Sequence, residues 1–205
     1  QGDHTDLEAL ATEVKKTGAH LVYLANPDNP LGTWHSAAQV RAFVDQLPPD
    51  CLLILDEAYV EFAPEEVHFP VETQDPRLIR MRTFSKAHGM AGARIGYALA
   101  HRQVVAALDK IRNHFAVNRV AQAGALASLG DQDFLQSVVW QVEEGRREYQ
   151  ALANELNLRA IPSGTNFVAL EIGPHARRLL ELLLENDVCV RMPGVPPLDR
   201  CIRVT

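Results

Sequence analysis

RTFSKAHGMAGARIGY, residues 82–97, contains one of only four lysines in the 205-residue chain, set among two hydroxyls, three glycines and an arginine eight positions further on. Two other stretches carry groups of comparable use: NPDNPLG with Asn29, and LLILDEAY with Asp56 and Tyr59. Each polar group follows a short apolar run, LVYLA, LLIL or LIRMRTF. In an open α/β sheet ligands bind beyond the carboxyl ends of the strands. Three neighbouring strands would therefore deliver an amide, a carboxylate with a phenol, and the Ser85/Lys86 pair to one rim. Together these groups can do defined chemistry: Lys86 can condense with a carbonyl, Asp56 can pair with a protonated ring nitrogen, and Asn29 and Tyr59 can donate to a ring oxygen.

Such groups meet only within a suitable frame, and the hydrophobic pattern supplies one. DLEALATEVKK carries apolar residues at helical spacing and stops at Gly18, a glycine placed for a C-terminal cap. LVYLANP reads as a short strand that breaks at Pro27 into a turn-rich segment, after which SAAQVRAFVDQL resumes a helical pattern with Ser36 as N-cap. CLLILDEAY is continuously apolar before its acids, which predicts a strand buried on both faces, as in a parallel sheet covered by helices. LIRMRTFS and ARIGYALA give two more strands. Helices between strands make βαβ crossovers, so the front half is read as an open α/β sheet.

Beyond His101 the pattern turns helical, with RQVVAALDKIRNHF, RVAQAGALASLG and the long amphipathic DQDFLQSVVWQVEEGRREYQALANEL, capped by Asp131 and able to tie two domains together. Gly145 inside it costs about 1 kcal/mol relative to Ala, which predicts a close packing contact or a bend. NFVALEI, ARRLLELLLEND, VCVRM and CIRVT have the composition of a small α+β unit. Trp34, Phe43 and Trp140 fall on helical patterns and are expected to pack.

With 47% hydrophobic residues the chain can bury a core of ordinary size. A net charge of −6, with no basic run longer than two residues, offers no excess of cations for a phosphate backbone and argues against nucleic acid as a partner. No apolar run approaches the roughly 20 residues of a spanning helix and no signal-peptide pattern opens the chain, so a soluble, cytoplasmic protein without a membrane partner is expected. Cys51, Cys189 and Cys201 are odd in number and form no CxxC pair, which predicts buried free thiols. The histidines show no HExxH and no short-spaced pair, so no metal site is expected. His88, two positions from Lys86, is read as hydrogen-bonded at the edge of a turn.

In their order and spacing, NPDNPLG, LLILDEAYVEF and RTFSKAHGMAGARIGY resemble the fold-type I pyridoxal-phosphate aminotransferases of class I and II, and within that family the histidinol-phosphate aminotransferases. PSGTNFVAL and CIRVT are similar to small-domain segments of the same family, so the likeness runs along essentially the whole chain. The resemblance implies an aspartate-aminotransferase-like fold. Residues 1–130 would belong to a large α/β domain with an open, mostly parallel sheet, and residues 131–205 would form the interdomain helix and a small C-terminal α+β domain.

It also implies pyridoxal 5'-phosphate as cofactor, a homodimer, and an amino donor and 2-oxo acid acceptor as small-molecule substrates, namely histidinol phosphate and 2-oxoglutarate. Lys86 would form the imine with the cofactor aldehyde and then serve as the base at the substrate Cα. Asp56 would pair with the pyridinium nitrogen, and Asn29 and Tyr59 would donate to the phenolic oxygen. Arg94, with Ser85 and Thr83, would hold the phosphate, since a guanidinium fork matches that dianion. Gly89, Ala91, Gly92 and Ala93 would let the backbone turn closely beneath it. Arg203 resembles the arginine that grips the acidic end of the substrate, and Asn166 is similar to an asparagine close to it.

Two positions depart from the family pattern: Leu31 stands where threonine is usual, and Met192 where a polar residue commonly follows the VR pair, leaving Arg191 without a substrate role. Family members are roughly twice as long, which implies that a front portion with a Gly-rich phosphate-binding helix start lies outside this sequence. Related chemistry stays open, as an aromatic aminotransferase or a phospho-amino-acid decarboxylase, because such enzymes share cofactor residues and differ in loops. So does a non-catalytic paralogue that keeps the scaffold as a binding module. LLILDE also fits an ATPase strand, but the required GxxxxGK[ST] loop is missing and the chain has no Gly-Lys pair. GMAGARIG has the wrong glycine spacing for a dinucleotide fingerprint.

Overall fold

The computed structural model describes residues 3–205. Helix α1 (Leu7–Thr17) starts where the Asp6 carboxylate accepts from the Ala9 N–H at 2.9 Å, and ends at Gly18, whose φ of 65° is left-handed. Strand β1 (Leu21–Ala25) leads to α2 (Ala37–Gln46), which opens on a capping box. Ser36 Oγ accepts from the Gln39 N–H at 3.2 Å, and Gln39 Oε1 accepts from the Ser36 N–H at 2.8 Å. Strands β2 (Leu52–Asp56), β3 (Leu78–Thr83) and β4 (Gly96–Ala100) complete a sheet in the order β1-β2-β3-β4. Its first three strands are parallel and β4 runs against β3, so the sheet is mostly parallel, as expected for an α/β fold.

Register decides what this sheet can carry. Ala25 lies opposite Asp56 and Asp56 opposite Met81, so the carboxyl ends of the three parallel strands stand nearly level. Helical crossovers are fewer than the pattern predicts. Only β1 and β2 are joined through an α-helix; β2 reaches β3 through two 3-10 turns, Val60–Phe62 and Glu65–Val67, and no α-helix lies between β3 and β4. Pro64, Pro70 and Pro76 punctuate the longer of these connections and prevent a continuous helix there.

Burial corrects the expectation for β2. Leu53 and Leu55 are buried against α1 and α2 with Val22, Leu24, Val40, Phe43 and Val44, each such side chain contributing about 1.5–3 kcal/mol. Leu52, Ile54 and Asp56 point the other way and are half-buried. That second face also shows Leu21, Tyr23 and Met81 to solvent, so the strand alternates and is covered on one side only.

The remaining helices are α3 (Arg102–Asp109), α4 (Arg119–Gly130), α5 (Gln132–Glu155) and α6 (Ala176–Glu185). α3 stops at Asp109, short of the predicted Phe115, because Ile111 and Phe115 find nothing to pack on; Phe115 is 97% exposed. Strands β5 (Arg159–Ile161), β6 (Val168–Glu171) and β7 (Cys201–Val204) form an antiparallel three-stranded sheet in the order β5-β6-β7. Ala153 and Tyr149 of α5 pack on it with Ala160, Val168 and Leu170. VCVRM is not a strand: a single bridge, Arg191 to Arg203, is all that forms before Pro193 ends the extended run.

Four further expectations change. Trp34 lies outside any helix and donates its indole N–H to Glu66 Oε1 at 2.9 Å, while Trp140, 62% exposed, does not pack; Phe43 does. Cys51 and Cys201 are buried free thiols, but Cys189 is exposed. A Cβ added at Gly145 would meet nothing within 4 Å, so close packing does not explain that glycine. Gly145→Ala is therefore expected to stabilise the fold by about 1 kcal/mol, read as a higher denaturant midpoint; a lower midpoint would show that the position is crowded after all.

Candidate functional site

The loops that leave β1, β2 and β3 bring the predicted groups to one rim. Asn29 follows β1, Asp56 closes β2 with Tyr59 three residues on, and Lys86 follows β3. Lys86 Nζ sits 5.2 Å from the centroid of the Tyr59 ring, within cation–π range. The Tyr59 hydroxyl accepts a long hydrogen bond from Asn29 Nδ2 at 3.5 Å, and Asn29 Oδ1 accepts from Arg203 Nη1 at 2.6 Å. Arg203 thus reaches the same rim from β7, its guanidinium carbon 4.6 Å over the Phe167 ring. Phe167 in turn meets the Tyr59 ring edge-on at 5.4 Å.

Asp56 holds its carboxylate between two donors. Oδ1 accepts from the Ala58 N–H at 3.0 Å and Oδ2 from the Tyr23 hydroxyl at 2.6 Å. Partial desolvation, then the adjacent carboxylate, push the Tyr23 phenol above its ordinary value. Asn29, Asp56, Tyr59 and Tyr23 line an open hollow of about 410 Å³. Burial raises the proton affinity of Asp28 on its edge. Arg203 Nε is buried without a partner, so the arginine has a donor to spare.

Behind the rim lies apolar packing. Tyr59, Phe62, Ala87 and Phe167 form a cluster completed by Leu135, Val138, Val139 and Val142 of α5, which holds Tyr59 and the residue after Lys86. Leu31, the departure from the family pattern, is buried with Ile161, Ala169 and Cys201 and thereby pins the Asn29 loop to the three-stranded sheet. Arg146 of α5 adds a polar tie, donating through Nη1 to the carbonyls of Phe62, Ser163 and Thr165 at 3.1, 2.8 and 3.3 Å.

The other predicted residues make contacts of their own. Thr83 Oγ1 accepts from the Ser85 N–H at 3.1 Å. Arg94 is exposed, at φ 54°, and its Nη1 donates to the Ala91 carbonyl at 2.8 Å. Of the small residues expected to turn closely here, Gly89 does need its positive φ of 67°, but a Cβ at Gly92 would meet nothing; the crowded position is Gly96, where a Cβ would fall 2.6 Å from the Arg82 carbonyl oxygen. Asn166 lines a different hollow, of about 270 Å³, beside Gly145, Arg146 and Tyr149. His88 is buried against Phe84, with Nδ1 2.8 Å from Ser128 Oγ, and burial holds its pKa below the usual histidine range.

One buried group escapes the motif reading. Glu57, next to Asp56, is paired with Arg80 at 2.9 Å and with Arg82 at 2.9 Å. Arg80 also donates to the Pro70 carbonyl at 2.8 Å and stacks on Phe69. The signal was present in LIRMRT, where two arginines at alternate positions must share one face of a strand. Nearby Glu61 has one buried oxygen without a partner, and burial raises its carboxyl above the usual range.

The family model for aminotransferase class I and II matches residues 1–205. The chain belongs to that family. Among relatives, histidinol-phosphate aminotransferase 2 of Legionella pneumophila (strain Lens) is 38% identical over 196 residues, covering 93% of this chain and 52% of its own length. Histidinol-phosphate aminotransferase 1 of Idiomarina loihiensis is 37% identical over 203 residues, covering 98% and 55%. Among solved structures, histidinol-phosphate aminotransferase from Sinorhizobium meliloti in complex with pyridoxal-5'-phosphate superposes with a TM-score of 0.96 at 46% identity, over 100% of this chain and 57% of that one. The chain thus spans about half the length of the aminotransferases it matches.

Removing one member of a buried ion pair leaves the other charge unpaired. Since Glu57 and Arg80 side chains are both 1% exposed, Glu57→Ala should cost about 3–5 kcal/mol in a denaturant titration. A loss within error of zero would mean that the arginines find other partners.

Proposed function

We propose that the protein is a pyridoxal 5'-phosphate-dependent aminotransferase that takes the amino group of histidinol phosphate and passes it to 2-oxoglutarate, giving imidazole acetol phosphate and glutamate. The observation that carries this reading is the chain of contacts Lys86–Tyr59–Asn29–Arg203 at one rim, with Asn29, Tyr59 and Asp56 lining one hollow. The residues present fit the cofactor: a primary amine, an anchored carboxylate, an amide–phenol pair, and an arginine whose buried Nε lacks a partner.

When bound, the cofactor supplies an aldehyde and an electron-accepting pyridine ring. Lys86 would hold it covalently, and its amine would be the base that takes the proton from the substrate Cα, a task worth typically 10²–10⁴-fold in rate. Asp56 would bind the protonated ring nitrogen, and Asn29 with Tyr59 would donate to the ring oxygen. Thr83, Ser85 and Arg94 would hold the phosphate, which requires Arg94 to exchange the Ala91 carbonyl for a better acceptor. Arg203 would bind an anionic end of substrate, phosphate or carboxylate. A homodimer is part of the proposal, supported by the large exposed apolar side chains Ile111, Phe115, Val120 and Leu126, since apolar surface left open to water favours association.

Borohydride treatment of the cofactor-loaded protein should fix the cofactor on Lys86, read by peptide mass, and Lys86→Ala should lose turnover while keeping its circular dichroism. A label at another lysine, or an active Lys86→Ala, sinks the assignment. Asp56→Asn should lower kcat by orders of magnitude more than it weakens cofactor binding; equal losses would make the carboxylate structural. Histidinol phosphate should be the preferred donor over aromatic and phosphorylated amino acids, with no carbon dioxide released.

A further inference from the structure

We infer that Tyr23 is the positioning residue for Asp56: its hydroxyl holds Oδ2 while the Ala58 N–H holds Oδ1, so that the carboxylate keeps one orientation toward the hollow. This rests on the reading that Asp56 pairs with a ring nitrogen.

Strand register makes the contact. Ala25 is opposite Asp56 and Tyr23 opposite Ile54, so Tyr23 and Asp56 stand on the same face of the sheet, one step apart along the diagonal. That is the face α1 and α2 leave open, and Tyr23 is 59% exposed on it, so core packing does not account for the ring. The 2.6 Å separation is that of an O–H···O⁻ bond, shorter and about twice as strong as one between neutral groups.

A carboxylate at a strand end can turn about its last torsion, a soft two-fold rotation. One donor on each oxygen removes that freedom and leaves the remaining lone pairs for a ligand. Asp28 lines the same hollow, and its charge reinforces the Asp56 carboxylate in keeping the phenol protonated. Because the folded phenol binds its proton more tightly than the unfolded one, the interaction stabilises the fold below the ordinary phenol value. It is lost only as pH rises through the folded value. Tyr23 is therefore a donor throughout the neutral range.

The test separates this contact from the cofactor reading. In the cofactor-free protein, tyrosinate absorbance is followed as pH rises through the ordinary phenol range, with circular dichroism confirming the fold. Asp56→Asn should gain tyrosinate over the unaltered chain at a given pH, and the gain should vanish when Tyr23→Phe is added. No gain, or a gain that survives Tyr23→Phe, overturns the inference. In the loaded protein Tyr23→Phe, which keeps the ring, should lower kcat about tenfold with KM nearly unchanged. It should also shift the pH dependence of the bound cofactor's visible absorbance. An unchanged kcat and spectrum would overturn the positioning role even where the tyrosinate difference is seen. Failure to label Lys86 with the tyrosinate difference intact would instead overturn the cofactor reading and with it the role of Asp56.

Discussion

Parallel pairing in register is the constraint on which the chemistry of this chain rests. Because Ala25, Asp56 and Met81 stand opposite one another, three successive loops begin at almost the same height. Asn29, Tyr59 and Lys86 then need only three to five residues of loop each to meet. A slip of one residue in β2 would turn Asp56 to the buried face and Leu55 to the open one, since side chains alternate along a strand. Leu53 and Leu55, sealed against α1 and α2, forbid that slip. Apolar burial on one face thus fixes the placement of the polar group on the other.

Electrostatics beneath the rim repeat the same division of labour. Glu57 follows Asp56 directly, yet it turns inward to Arg80 and Arg82, while Asp56 turns to Tyr23 and the hollow. Two adjacent acids therefore face different ways, one anchoring β2 to β3 and one lining the hollow. The buried pair is costly to desolvate, and its two arginines and two backbone carbonyls satisfy it almost completely. Such an arrangement holds the end of β2 firmly.

Much of this was legible in the amino-acid pattern, for identifiable reasons. Asp6, Gly18, Ser36 and Asp131 act locally, through backbone groups three or four residues away, so caps and helix starts could be read directly. The site loops were read from their joint pattern, since an amide, a carboxylate with a phenol and an amine, each closing an apolar run, are individually common and only together point to one rim. What escaped depends on partners distant in sequence. Continuous apolarity in LLIL predicted two covered faces, but coverage is a property of what packs on the strand, and helices pack on one side only. Nothing in the local pattern singles out Tyr23, whose partner Asp56 is 33 residues away, or Arg80 and Arg146, whose partners Glu57 and Phe62 are 23 and 84 residues away.

The same dependence explains why Leu31 is compatible with a working rim. Its side chain is buried with Cys201, two residues from Arg203, and with Ile161 and Ala169. Two residues before it, Asn29 meets Arg203, and one residue after it the Gly32 carbonyl accepts from the Gly164 N–H at 2.8 Å. Gly32 itself lies so close to Ser163 that a Cβ would fall 2.4 Å from Oγ. The segment bearing Asn29 is therefore clamped to the three-stranded sheet by an apolar contact, a backbone hydrogen bond and a close glycine approach, all within four residues. A hydroxyl at position 31 would sit in that apolar contact and need a hydrogen-bond partner there. The leucine instead adds burial to the hydrogen bonds that set the separation between Asn29 and Arg203, so the two sheets, which share no strand, are held in fixed relation at the rim.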